Sequence, residues 1–319
     1  MSINWGIIGP GIIAEKFAKA LKINNSNLLA VASRSFERAS DFAQRHDIPR
    51  VYAGYDKLLA DKDVDIVYIA TPHAFHKDWI IKSLRAGKHV LCEKPVTLTS
   101  EELKECISTA KEANRFFMEA MWTRFLPIYR EYVKEVIDQN KLGDIRIINI
   151  DYSFMGNTDP EYRILNKSLG GGAMLDVGIY ALHLIEMFLG IPTQIKTVCH
   201  IGDTGVDLQS ATAMKFNNLA VATLTNGISC NGTEYAQIIG TKGRILLHRF
   251  GRCELAEETL DCQSTRKIEM PFTNGFQYQI AECEKCIAEG KIQSDILPLS
   301  KSLEIMGFMD EIMNSFTSD

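Results

Sequence analysis

No basic block runs through this 319-residue chain, in which 35 Lys and Arg stand against 40 Asp and Glu, a formal charge of −5. That balance excludes a nucleic-acid partner held by a basic surface. No uninterrupted apolar run approaches the roughly 20 residues that span a bilayer, so no membrane partner is expected. The opening Met1-Ser2-Ile3-Asn4-Trp5 lacks the charged start, apolar stretch and small-residue cleavage site of an export signal. The 8 cysteines are scattered, and without an export signal they read as reduced thiols in a cytoplasmic protein. One C-x-x-C, Cys283-Glu284-Lys285-Cys286, sits in a helical pattern without a second pair at ligand spacing, so no metal site is expected. What remains is ordinary globular composition, 46% hydrophobic and 24% charged, at a length that suits two domains.

The two halves are patterned differently. Short apolar runs at Ile3–Ile8, Leu28–Ser33, Val64–Ala70, His89–Cys92 and Arg115–Met118 read as strands. Amphipathic stretches at Ile12–Leu21, Phe36–His46, Phe75–Ala86 and Ser100–Asn114 read as the helices between them. Thr99 and Glu102 make a capping-box pair for the last of these. Such alternation predicts a parallel sheet with right-handed crossovers. Beyond Trp122, strands are expected at Arg146–Ser153, Ile195–Ile201, Ala211–Phe216, Leu219–Thr225, Ala236–Ile239 and Arg244–Leu247, with a hairpin turn at Asn217-Asn218. Helices are expected at Ala173–Leu189, Gln277–Glu289 and Ser300–Phe316. The fold class is therefore α/β: a doubly wound parallel sheet over 1–122, then an α+β domain over 123–319 with a large, mainly antiparallel open sheet.

Three motifs point to chemistry. Gly9-Pro10-Gly11-Ile12-Ile13-Ala14 closes the first strand and fits the G-x-G-x-x-G/A pattern, in which a pyrophosphate sits on a helix N-terminus opened here by Ile12 and Ile13. At the end of the second strand, where NAD sites place an acid, the chain reads Ser33-Arg34-Ser35, with Arg38 one turn on. A hydroxyl and two guanidinium groups suit a 2′-phosphate, so NADP(H) is the expected cofactor. The fourth strand runs into Glu93-Lys94-Pro95, at the strand end where ligands gather in open α/β sheets. In the second half, Gly170-Gly171-Gly172 precedes a helix whose Asp176, Tyr180 and His183 share one face. An acid, a phenol and an imidazole in one stripe suit an acid–base site, and the triglycine suits close approach to a ligand.

In this order, the glycine turn, Glu93-Lys94-Pro95 and the Gly-Gly-Gly…Asp176…Tyr180 helix resemble the glucose–fructose oxidoreductase/inositol dehydrogenase (Gfo/Idh/MocA) family across essentially the whole chain. Tyrosine at 180, where many members have histidine, and the segment Met118–Phe125 look most like its branch of dimeric dihydrodiol dehydrogenases and NADP-dependent D-xylose dehydrogenases. The resemblance implies an N-terminal Rossmann domain and a C-terminal open-sheet domain, with substrate over the nicotinamide and homodimers, or higher homo-oligomers, formed through the open sheet. It implies Lys94 and Tyr180 as the catalytic pair, with Asp176 supporting the substrate. It also implies a cofactor crevice lined by Thr71, Pro72, His73, His76, Glu93 and Arg163. Trp122, Arg124, Phe154, His183 and Phe276 are expected to wall the substrate pocket.

The expected reaction is hydride transfer between NADP(H) and a sugar, polyol or vicinal diol, with Tyr180 exchanging the proton under the influence of the Lys94 ammonium. A non-catalytic NADP-sensing regulator of the same fold is the alternative.

Overall fold

The computed structural model describes residues 3–261 and 264–316. Cys262, one of the scattered cysteines, lies outside the described residues. Two compact units result: Met1–Trp122 with Asn274–Leu303, and Thr123–Thr273 with Glu304–Asp319. The segment 274–303, expected in the second domain, thus belongs with the first. Two long-range contacts hold it there: the Trp5 indole donates to Glu284 Oε1 at 2.9 Å, and the Phe117 amide donates to the Ile292 carbonyl at 3.0 Å.

The first unit runs β1 (Asn4–Ile8), α1 (Ile12–Ile23), β2 (Asn27–Ser33), α2 (Phe36–His46), β3 (Arg50–Ala53), α3 (Tyr55–Leu59), β4 (Ile66–Ile69), α4 (His76–Arg85), β5 (His89–Glu93), α5 (Ser100–Ala113) and β6 (Phe117–Ala120). The sheet order β3-β2-β1-β4-β5-β6 is parallel throughout, the doubly wound arrangement. Strand β3 and helix α3 are additions to the expected set. With four and five residues, they are too short to carry a period. Caps fix the helix ends: the Thr99 hydroxyl accepts from the Glu102 amide at 3.2 Å, and Glu102 reaches back to the Leu98 amide at 3.0 Å. Beneath the sheet, Phe17 stacks on Tyr68 and meets the edge of Trp5, all three fully buried.

The second unit carries α6 (Lys134–Asp138), β7 (Ile145–Ser153), α7 (Ile179–Leu189), β8 (Gln194–Ile201), β9 (Asp207–Lys215), β10 (Val221–Gly227), β11 (Tyr235–Gly240), β12 (Gly243–His248), β13 (Leu255–Leu260) and β14 (Arg266–Glu269). Its eight strands lie in the order β14-β13-β12-β11-β7-β10-β9-β8, antiparallel except where β10 pairs with β7. The β9–β10 hairpin turns at Asn217-Asn218 as expected, closed by the Phe216 amide on the Ala220 carbonyl. Along β10, Ala222 and Leu224 are buried while Thr223 and Thr225 face outward, so one face of the sheet packs inward and the other is open. Strands β13 and β14 were not anticipated, because Leu255–Leu260 and Arg266–Glu269 are rich in Glu, Lys and Arg. Of the last two helices, α8 (Phe276–Ala288) lies in the first unit and α9 (Leu299–Ser315) ends the chain.

The helix expected as one piece over Ala173–Leu189 is two. Met174–Gly178 is a π-helical turn, and regular α-helix begins at Ile179. The stretch Lys167–Leu189 is long and apolar enough to cross a membrane by length and composition, although Asp176, His183 and Glu186 interrupt its apolar run. Since 78% of its most apolar window is buried inside the structure, that apolarity is core packing.

Candidate active site

In the first unit the ends of β1, β2 and β4 converge. The Gly9 amide donates to the Ala32 carbonyl, and the Ala70 amide to Ile8. Gly9 has φ +88°, and a Cβ there would lie 2.9 Å from the Ala70 carbonyl oxygen, so only glycine makes this turn without strain. Gly11 differs: a Cβ there would meet nothing within 4 Å. No side chain caps the start of α1, and Ile12 is 76% exposed beside it, with Ile13 half-buried. The Ser33 hydroxyl, buried at the end of β2, accepts from the Ser35 amide at 3.3 Å. Arg34 and Arg38 are both exposed, and both act on the Tyr55 phenol, which burial pushes up and these guanidinium groups pull back down.

The loop after β5 is tied down from several sides. Tyr68 donates its phenolic proton to Glu93, which is buried. The Lys94–Pro95 peptide is cis, and Lys94 is half-buried. His76, expected to line a crevice, is instead fully enclosed, with Nδ1 on the Pro95 carbonyl and Nε2 on the Thr71 carbonyl, each at 2.9 Å. Burial pushes it below the usual histidine range, against the two carbonyls, which favour a proton on each nitrogen, and the ring ties the loop carrying Lys94 to the end of β4. Glu119 on β6, also buried, accepts from the Val96 amide at 3.4 Å and the Ser302 hydroxyl at 2.7 Å. His73 is buried against His76, and Pro72 is half-buried. Trp122 and Phe276 pack together, ring centroids 5.0 Å apart, with Phe276 buried and Trp122 half-buried.

In the second unit Asp176 is buried in the π-helical turn and accepts from the Arg163 guanidinium at 3.1 Å. Tyr180, one turn on, is half-buried, with its ring 5.5 Å edge-to-face from that of Tyr152. His183 is 1% exposed. A small cleft is lined by Tyr180 and His183 together with Thr123, Arg124, Tyr129, Leu184, Met187 and Phe250. The Arg124 guanidinium does not present itself there as a ligand group: it donates to the His183 carbonyl at 3.0 Å and pairs with Glu186 at 2.9 Å, both partners buried. Phe154, the other expected pocket wall, packs on a cluster of Ile164, Ala173 and Ile228.

Nor is the triglycine a flexible ligand approach. A Cβ on Gly171 would lie 2.6 Å from the Ile164 carbonyl oxygen, and one on Gly172, at φ +124°, would overlap Asp207 Oδ1. Asp207 is the residue that sequence reasoning missed. It is 4% exposed and accepts from the Met174 amide at 2.7 Å, capping the turn that carries Asp176. Burial pushes its carboxyl up to about 7, against the backbone amides that favour its charge. Its only sequence signal was an acid opening a strand, more than 30 residues from the helix it caps.

A family model described as oxidoreductase family, NAD-binding Rossmann fold (GFO_IDH_MocA) matches residues 3–121, and the GFO/IDH/MocA C-terminal domain matches 131–246. The chain belongs to the GFO/IDH/MocA family. It is 32% identical to the trans-1,2-dihydrobenzene-1,2-diol dehydrogenases of Xenopus tropicalis and Homo sapiens over 326 residues, covering 98% of this chain and 98% and 96% of theirs. Among solved structures it is similar to a 3-ketoreductase from Actinomadura kijaniata in complex with NADP, with TM-score 0.90 and 26% identity over 99% of this chain and 98% of that one. An aldose-aldose oxidoreductase from Caulobacter crescentus gives TM-score 0.89 and 25% identity over 99% and 97% of the two chains.

The first unit fits the dinucleotide of this GFO/IDH/MocA oxidoreductase fold on two observations. The open space at Gly11 is where a pyrophosphate meets the backbone in such turns. The Thr71 hydroxyl, buried at the neighbouring strand end, has no hydrogen-bond partner among the described residues. Among the described residues, no three His, Cys, Asp or Glu side chains cluster to hold a metal.

Proposed function

We propose that this oxidoreductase transfers hydride between NADP(H) and a secondary alcohol or carbonyl of a sugar, polyol or vicinal diol, with Tyr180 exchanging the proton. The observation that carries the reading is the placement of Tyr180: a half-buried phenol one turn beyond buried Asp176, which the exposed Arg163 braces, and on the wall of a small cleft. The names of the similar proteins, dihydrodiol dehydrogenases and a ketoreductase crystallised with NADP, support the substrate and cofactor classes.

The dinucleotide would be held by Gly9, Gly11, the amides of Ile12 and Ile13, Thr71 and the strand end around Glu93, with Ser33, Arg34 and Arg38 taking the 2′-phosphate. When bound, it supplies or accepts the hydride. Tyr180 takes the alcohol proton in oxidation and returns it in reduction. The Lys94 ammonium stabilises negative charge developing on the reacting oxygen and favours the phenolate. Asp176 orients a neighbouring substrate hydroxyl, its carboxylate set by Arg163. The substrate-binding unit also presents the open face of its sheet for a homodimer. A cytoplasmic location suits an NADP(H)-linked reaction on a small polar substrate.

Tyr180→Phe and Lys94→Met test this directly. Each is expected to lower turnover by about 10²–10⁴-fold, the usual yield of a positioned acid–base group, while NADPH still quenches tryptophan fluorescence with wild-type affinity. Wild-type turnover in Tyr180→Phe contradicts the assignment.

A further inference from the structure

The turn that carries Asp176 starts on a carboxylate from elsewhere in the sheet. Asp207 opens β9, and its Oδ2 accepts the Met174 amide at 2.7 Å, with the Ala173 amide and its own also bonded to the carboxyl. Gly172 is required beside it, since any side chain there would overlap Oδ1. Two residues after Met174 comes Asp176, and two residues before Tyr180 comes Gly178, where a Cβ would overlap the Met174 sulfur. Met174 thus links the capped end to the backbone just before Tyr180. One π-helical turn separates the capped end from Tyr180, and π-helical turns recur at functional sites.

We infer that Asp207 is a positioning residue for the chemistry at Tyr180: its side chain seats the turn bearing Asp176, and that seat loosens when Asp207 loses its proton. The inference rests on the Tyr180 reading for its link to catalysis, but the cap itself stands on the Met174–Asp207 hydrogen bond, the close approach to Gly172 and the enclosure of the carboxyl. Burial is the main cause of the raised carboxyl, to about 7, and among the described residues no charged side chain contributes to it. The titratable groups around it are Asp176 with Arg163 on the turn, Lys167 near Gly205, and the exposed Asp203 and His200 on the β8 side. Because the closed cap holds its proton more tightly than an opened, solvated one, rising pH favours opening.

Two experiments on the full chain separate this from the Tyr180 reading. Amide exchange of residues 174–180, corrected for intrinsic rates, needs no substrate. Protection in the wild type is expected to fall above pH 7 by up to about tenfold per pH unit, and to stay flat in Asp207→Asn, which keeps the acceptor and cannot ionise. In turnover, Asp207→Ala is expected to raise substrate KM by roughly fivefold, the worth of a lost cap, without changing NADPH affinity, and Asp207→Asn to restore it. The same pH dependence of protection in Asp207→Asn as in wild type overturns the inference whatever Tyr180 does. An unchanged KM in Asp207→Ala overturns the catalytic link.

Discussion

Two glycines in one motif, two residues apart, answer to different masters. Gly9 is held by the protein, with φ +88° and the Ala70 carbonyl 2.9 Å from where a Cβ would go. Gly11 is hydrogen-bonded through its backbone to Gly9 and Glu15, but among the described residues nothing lies within 4 Å of where its Cβ would go. Gly9→Ala is therefore expected to lower the melting temperature, since a left-handed non-glycine residue costs about 1–2 kcal/mol before any clash. Gly11→Ala is expected to melt like the wild type and yet bind NADPH roughly tenfold or more weakly, because its methyl occupies the space of the pyrophosphate. Calorimetric melts beside fluorescence titrations separate the two, and equal dinucleotide affinity in Gly11→Ala would contradict the placement of the phosphate. Both glycines were visible in the sequence as a motif. Their division of labour was not, since it depends on Ala70, about 60 residues away.

At the scale of the element, the helix from Met174 to Leu189 shows what a single period conceals. Its apolar residues predicted a helix and its polar stripe predicted Asp176, Tyr180 and His183 on one side, but the first turn is π-helical. Of the three, His183 is almost fully enclosed and Tyr180 is half-buried. A repeat of 3.6 carries no information about which carboxylate caps the helix or which arginine braces it. Asp207, and Arg124 that pairs with Glu186 on the helix itself, come from other parts of the chain. The Asp207 cap also marks global stability. Burial raises its folded-state pKa from 3.8 to about 7, so the native state binds the proton more tightly than the unfolded chain. Its contribution to stability is complete below pH 3.8 and is lost as pH rises through 7. Thermal melts of Asp207→Asn against wild type are expected to diverge over that window, with the asparagine variant gaining relative to wild type as pH rises. A constant gap from pH 4 to 8 would show that Asp207 ionises as freely in the folded protein as in the unfolded chain.

For the whole molecule, the α/β class, the doubly wound sheet and the large antiparallel sheet were legible because strands and helices alternate in one half and hairpin turns such as Asn217-Asn218 punctuate the other. The return of residues 274–303 to the first unit was not legible. It rests on Trp5–Glu284 and Phe117–Ile292 contacts that join chain segments more than 150 residues apart. His76 was misjudged in the same way, because only the fold reveals that both its nitrogens face backbone carbonyls. Family membership states that this is an oxidoreductase fold, and the central claim is that it moves hydride to and from NADP(H) on a hydroxylated carbon. The most direct test follows absorbance at 340 nm in purified protein, with NADP+ or NAD+ against aldoses, inositols and vicinal diols, and with NADPH or NADH against the matching dicarbonyls. A rate with at least one substrate, faster with NADP(H) than with NAD(H), is the predicted result. No absorbance change with any of them, in a protein that binds NADPH tightly, would contradict the claim and favour a dinucleotide sensor.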